Sequence, residues 1–154
     1  MTPPVNPTRA RWTVLCLLAC HLGRPPAVGA WSVGRVEIAA AEPSLRPQIE
    51  RAFHMALAGD RAAAGLVDLV LLESDERTLA QEPDGRRLME VSARLQVDPH
   101  LPGIAPLVVS GAERYTTGSA APRAAADLRG AAWRRLAEGL ARTAARWLAT
   151  LEPR

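Results

Sequence analysis

Apolar and polar positions follow different periods in successive parts of the chain. Residues 31–38, WSVGRVEI, alternate Trp31 and Val33 with Ser32 and Gly34 and close on Val36 and Ile38, the period-two pattern of a strand. Residues 43–59, PSLRPQIERAFHMALAG, change to helical spacing, with Leu45, Ile49, Phe53, Ala56 and Leu57 on one stripe. Ser44 is placed to cap this helix, Pro47 falls in the first turn, where its missing N–H costs nothing, and Gly59 closes it. Residues 65–74, GLVDLVLLES, are a continuous aliphatic run broken by Asp68, which predicts a strand covered over most of its surface.

Residues 87–97, RLMEVSARLQV, alternate cleanly. Met89, Val91, Ala93, Leu95 and Val97 share one face and Glu90, Ser92, Arg94 and Gln96 the other, so one face is buried and one is wet. Pro83, Asp84 and Gly85 lie between these two runs and predict an antiparallel hairpin whose strands extend into residues 76–80. Pro99, Pro102, Gly103 and Pro106 mark a second loop, and residues 107–117, LVVSGAERYTT, a further strand bulged at Gly111. From Pro122 to about Leu151, helical spacing returns through Leu128, Ala132, Leu136, Leu140, Ala144, Trp147 or Leu148, and Leu151. Arg129, Arg134, Arg135, Arg142 and Arg146 fall mostly elsewhere on that wheel. The order β-α-β-β-β-α predicts an α/β (α+β) sandwich, a sheet of about four strands with two helices packed on one face.

The first thirty residues have a different logic. Arg9 and Arg11 precede an eight-residue apolar run, residues 12–19, that ends in a small residue before Cys20, the layout of a secretory signal. As a membrane span the run is too short, since about 20 apolar residues are needed. Pro3, Pro4, Pro7, Pro25 and Pro26 argue against an integrated core helix. Leu17, Leu18, Ala19 and Cys20 resemble a bacterial lipobox, in which the cysteine thiol becomes a diacylglyceryl thioether before the leader is cut on its N-terminal side. Cys16 fails the same test because Leu15 before it is too large. Ordinary secretion with cleavage nearby is the alternative. The implied organisation is a leader over residues 1–19, a tether over 20–30 and a single α/β domain over 31–154. Cys20 is then the lipidation site, and His21 rather than Asp after it points to the outer membrane.

Composition changes this picture only at the margins. The chain has 154 residues, 48% hydrophobic and 23% charged, enough for one domain with a modest core. Its net charge of +3 suggests nucleic acid, but Arg9 and Arg11 leave with the leader, and 17 arginines then face 16 acids. A nearly neutral mature domain implies no nucleic-acid partner. With both cysteines assigned to the leader and anchor, cysteine-based metal and redox chemistry is excluded from the domain. His21, His54 and His100 have no ligand-like partner at i+3 or i+4, so no zinc pattern exists, and neither a GxSxG elbow nor a phosphate loop is present. No catalytic residue, metal or cofactor is implied, although carboxylates paired across a fold cannot be read from a sequence.

The lipobox, the strand VGRVEI, the helix LRPQIERAF, the strand EVSARLQV and the segment LVVSGAERYTTGSA, running into AADLRGAAWRRLAEGLARTAARWLATL, together resemble the LptE family of lipopolysaccharide-assembly lipoproteins, most closely its alphaproteobacterial members. The resemblance spans nearly the whole mature chain and falls on Ser110, Gly111, Tyr115 and residues 128–151. It implies a non-enzymatic protein of the outer membrane, lipid-anchored at the periplasmic side. Such a protein plugs and assists assembly of a partner β-barrel, LptD, and contacts lipopolysaccharide. A polar sheet face suits a polar barrel interior, and arginines can pair bidentately with lipid phosphates. The candidates are Arg86 and Arg87 at the hairpin tip, Arg94 on the polar strand face and Arg114 beside Tyr115, each of which also reads as a plain solvated arginine. Two other classes remain: an auxiliary lipoprotein subunit of another envelope or transport complex, and a small hydrolase using dispersed carboxylates.

Overall fold

In the computed structural model, which describes residues 31–38, 45–58, 65–118 and 122–151, the chain runs β1 (Trp31–Ile38), α1 (Arg46–Leu57), β2 (Gly65–Gln81), β3 (Arg87–Asp98), β4 (Leu107–Thr117) and α2 (Pro122–Thr150). The sheet order is β1-β2-β3-β4. β1 pairs parallel with β2, which requires a crossover between them, and α1 supplies it; β2, β3 and β4 form an antiparallel meander. This is the expected four-stranded α+β architecture. The leader, the tether, Cys20 and the predicted helix ends at Ser44 and Gly59 lie outside the described residues.

The β2–β3 turn forms as its residues dictate. Glu82 C=O accepts from Gly85 N–H at 3.0 Å, and Glu82 N–H donates to Arg86 C=O at 2.8 Å. Pro83 and Asp84 fill the central turn positions, and Gly85 takes φ of 84°, which a side chain would resist. Asp84 secures the exit by accepting from the Arg86 amide at 3.0 Å.

The core lies between one sheet face and the two helices. Val67, Leu69 and Leu71 of β2, Val91, Leu95 and Val97 of β3 and Val109 of β4 point into it. Phe53, Ile49 and Leu57 enter from α1, and Leu136, Leu140, Ala141, Ala144 and Leu148 from α2. Pro47 stands in the first turn of α1 as expected, and Leu45 precedes the helix without a side-chain cap bond.

Several details differ from the sequence reading. β2 is not covered on most of its surface: Leu66 and Leu72 are 59% and 44% exposed, because no element among the described residues packs on the second face of the sheet. Gly111 is in unbroken register with Ala93 and makes no bulge. Its smallness serves packing instead, since a Cβ there would meet Leu136 Cδ1 at 2.9 Å and Leu140 Cδ2 at 3.4 Å. The register shifts sit elsewhere, at Gly34 and Arg35 of β1 and at Leu72 and Leu79 of β2. Each inserts one residue, so the positions of the bulged strand that face the core change parity across it; in β2 they are 67, 69 and 71 before Leu72 and 74 and 76 after it. Leu128 is exposed, because the buried stripe of α2 begins one turn later at Ala132.

Candidate functional site: the open face of the sheet

Because β3 alternates, its even-numbered residues and their partners on β2 and β4 form the uncovered face. Cross-strand register arranges them in rows: Arg77, Glu90 and Arg114; Asp75, Ser92 and Ala112; Glu73, Arg94 and Ser110; Val70, Gln96 and Val108. Toward the hairpin tip the face is lined by ion-paired rows, and toward the other end by Val70, Val108 and Leu66 beside the facing pair Asp68 and Asp98.

Glu90 is the centre of the charged part. Although it lies on the open face it is only 7% exposed, because two arginines fold over it. Arg77 Nε and Nη2 donate to Oε1 at 3.1 and 2.7 Å, and Arg114 Nε donates to Oε2 at 3.0 Å. The Arg77 hydrogen bonds, then those of Arg114, hold the Glu90 carboxyl below the usual carboxylate range. The row carries one net positive charge, and both guanidinium groups remain mostly exposed. Arg94 Nη1 pairs with Glu73 at 3.2 Å in the next charged row. Three arginines and the acids Glu73, Asp75 and Glu90 therefore make this half of the face neutral overall and strongly polar.

The four arginines singled out from the sequence do not converge. Arg94 and Arg114 share the open face, two rows apart. Arg86 is tied within the turn to Asp84 at 2.6 Å and Glu82 at 3.1 Å. Arg87 is in register with Gln81 and Thr117, on the side of the sheet that bears the helices, and among the described residues no acid lies within ion-pair distance of it. The sequence reading missed Arg77, which completes the Glu90 row. The cross-strand register is the signal that finds it, and register follows from the bulges at Leu72 and Leu79.

The helix-side edge of the sheet carries a second polar group. Tyr115 donates its hydroxyl to Glu76 Oε1, and Arg129 of α2 donates from Nε to Glu76 Oε2 at 2.7 Å. Burial, then the bond to Glu76, pushes the Tyr115 phenol up to about 12, so it remains a donor at any physiological pH. Arg135 of α2 reaches Glu113 of β4 at 3.3 Å. These pairs fasten the N-terminal half of α2 to β2 and β4 beyond the limit of the aliphatic core.

At the opposite end, the fold assembles residues that are distant in sequence. Asp68 and Asp98 face each other across β2 and β3. His100, in the loop over residues 99–106, places Nε2 2.9 Å from Asp68 Oδ2 and Nδ1 3.7 Å from Asp98 Oδ1, and its backbone N–H donates to Asp98 at 2.8 Å. The Arg35 amide donates to Asp68 Oδ1 at 2.7 Å, and Gly34 leaves room for that carboxylate, since a Cβ there would stand 2.5 Å from it. The Arg35 amide and then His100 hold Asp68 below its ordinary value, and Asp68 first, then Asp98, raises His100. Both ring nitrogens of His100 face carboxylates. The arrangement works as a latch on the loop, and it holds His100 at φ of 50°, in the left-handed region a histidine seldom adopts.

No helix among the described residues is long and apolar enough to cross a membrane. No protein-family model matches the chain, and no curated protein matches it. Among solved structures it is similar to a minor lipoprotein from Acinetobacter baumannii, at 15% identity over 80% of this chain and 94% of that one, with a TM-score of 0.48. It is also similar to the rare lipoprotein B from Shewanella oneidensis, at 14% identity over 78% of this chain and 96% of that one, with a TM-score of 0.47.

Proposed function

We propose that this chain is a lipid-anchored outer-membrane protein that seats in, and assists assembly of, the lipopolysaccharide-translocating β-barrel LptD, and that it contacts lipopolysaccharide. The observation that carries this reading is the open sheet face. One side of the sheet is packed by helices, while the other presents ion-paired rows whose arginines keep exposed guanidinium surface. A wall of that kind fits the polar lumen of a barrel, where a partner's hydrogen-bonding groups replace water. Arg77 and Arg114, with Arg94 beyond them, offer fork-shaped donors for phosphate oxygens, at the expense of their bonds to Glu90 and Glu73. The residues Leu17, Leu18, Ala19 and Cys20 supply the anchor in this reading. The test is purification of the acylated protein from outer membranes. LptD is expected to co-purify, and a Cys20→Ser chain is expected to lose its acyl mass; recovery of the acylated protein with no barrel, or with a different envelope complex, contradicts the assignment.

A further inference from the structure

Three features meet at the end of the sheet remote from the hairpin tip. The described chain enters at Trp31, which pairs with Gly65, the first residue of β2. Three residues along, Asp68 pairs with Asp98, the last residue of β3, and the loop over residues 99–106 leaves from there. At this end exposed aliphatic residues, Leu66 and Val108 at 59% and 45%, lie beside charged groups that are already paired, Asp68 and Asp98 with His100 and Arg35 with Glu37. The loop adds Leu101 and Ile104, which flank the turn centred on Pro102 and Gly103; Ile104 N–H donates to Leu101 C=O at 3.1 Å, with Gly103 at φ of 78°. From residue 95 to residue 113 the sequence contains no arginine or lysine. The nearest acids, Asp68 and Asp98, are turned onto His100 and the Arg35 amide.

We propose that this end of the molecule rests on a bilayer surface, with Leu101 and Ile104 of the loop entering the headgroup boundary and Leu66 and Val108 lying beside them. The inference rests on acylation of Cys20. The reach of the chain favours the bilayer as the occupant: residues 21–30 separate Cys20 from Trp31, and fully extended they span at most ~36 Å. An anchored chain therefore confines this end to within ~36 Å of the bilayer, at a high effective concentration of lipid. The latch and the turn hold the loop in shape beforehand, so contact with lipid costs little ordering entropy. Residues 101–106, LPGIAP, carry no ionisable side chain, and a proline-rich tip bearing exposed aliphatic groups is suited to shallow interfacial insertion. The hairpin tip then stands away from the membrane by the length of β3, ~40 Å.

The experiment uses the acylated full-length protein in phosphatidylethanolamine–phosphatidylglycerol vesicles, with Leu101→Cys, Ile104→Cys or Pro83→Cys carrying an environment-sensitive fluorophore. Cys16 leaves with the leader and the Cys20 sulfur is blocked, so the introduced thiol is the labelled one. Labels at 101 and 104 are expected to shift to the blue and to be quenched several-fold more by nitroxide lipids than the label at 83, which stays open to aqueous iodide. Equal iodide quenching at 101, 104 and 83 on vesicle-bound, acylated protein overturns this proposal and leaves the anchor intact. Protein that lacks acyl mass and does not float with vesicles overturns both. Shielding of 101 and 104 that requires added barrel protein, and is absent on lipid alone, also overturns the proposal.

Discussion

The two faces of the sheet are drawn from the same strands, and alternate residues of β3 serve each. On the covered face Val91, Leu95 and Val97 are fully buried against α1 and α2. On the open face Glu90, Ser92, Arg94 and Gln96 interleave with them; Glu90 and Arg94 pair with charged side chains, while Gln96 lies between Val70 and Val108. The covered face supplies stability through apolar burial, and the open face is available to a partner because the fold does not depend on it. At the edge of the covered side Tyr115, Glu76 and Arg129 satisfy one another. The open face is itself divided, with ion-paired rows toward the hairpin tip and aliphatic residues, latched by His100, toward the chain entry.

The sharpest way to break this comparison is to truncate neighbours on opposite faces. Leu95→Ala is expected to cost about 2–5 kcal/mol in urea unfolding, since it leaves a cavity among fully buried neighbours. Gln96→Ala, one residue on, is expected to stay within about 0.5 kcal/mol. Comparable losses at the two positions would mean that the open face carries structural load.

A smaller and local effect separates the two ends of the open face. The His100 latch contributes fully below the ordinary histidine value of 6.5 and is lost as pH rises through the raised folded value. Asp68, shifted downward from 3.8, contributes above that value and is lost as pH falls through its lowered one. The latch is therefore tightest between these limits. Amides of residues 99–106, corrected for intrinsic exchange, are expected to be better protected at about pH 5.5 than at about pH 8.5, while those of the hairpin near Gly85 show no such change. A His100→Asn chain that kept the same pH dependence would refute the assignment.

Much of this fold was legible because its signals are local. The alternation of β3, the Pro83-Asp84-Gly85 turn and the helical spacing of α2 each depend on neighbours within a few residues. β2 was over-read for the same reason: an aliphatic run does not say which of its faces meets a second layer, and Leu66 and Leu72 meet none among the described residues. Gly111 was read as a backbone irregularity when its cause is the approach of Leu136 from a distant helix. The site was less legible than the fold. Arg94 and Arg114 were found from strand parity and position, but Arg77 over Glu90 requires the register set by two bulges. The pairing of His100 with Asp68 links residues on separate elements, and the geometry of a proline-rich loop sets it.

The central claim is that the open face is the docking wall. A photo-crosslinking residue placed at Ser92 or Ser110 in living cells, compared with one at Met55 on the outer side of α1, tests it directly. The account predicts that Ser92 and Ser110 capture the lipopolysaccharide-translocating barrel in greater yield than Met55 does. Capture from Met55 with none from Ser92 and Ser110 would contradict it.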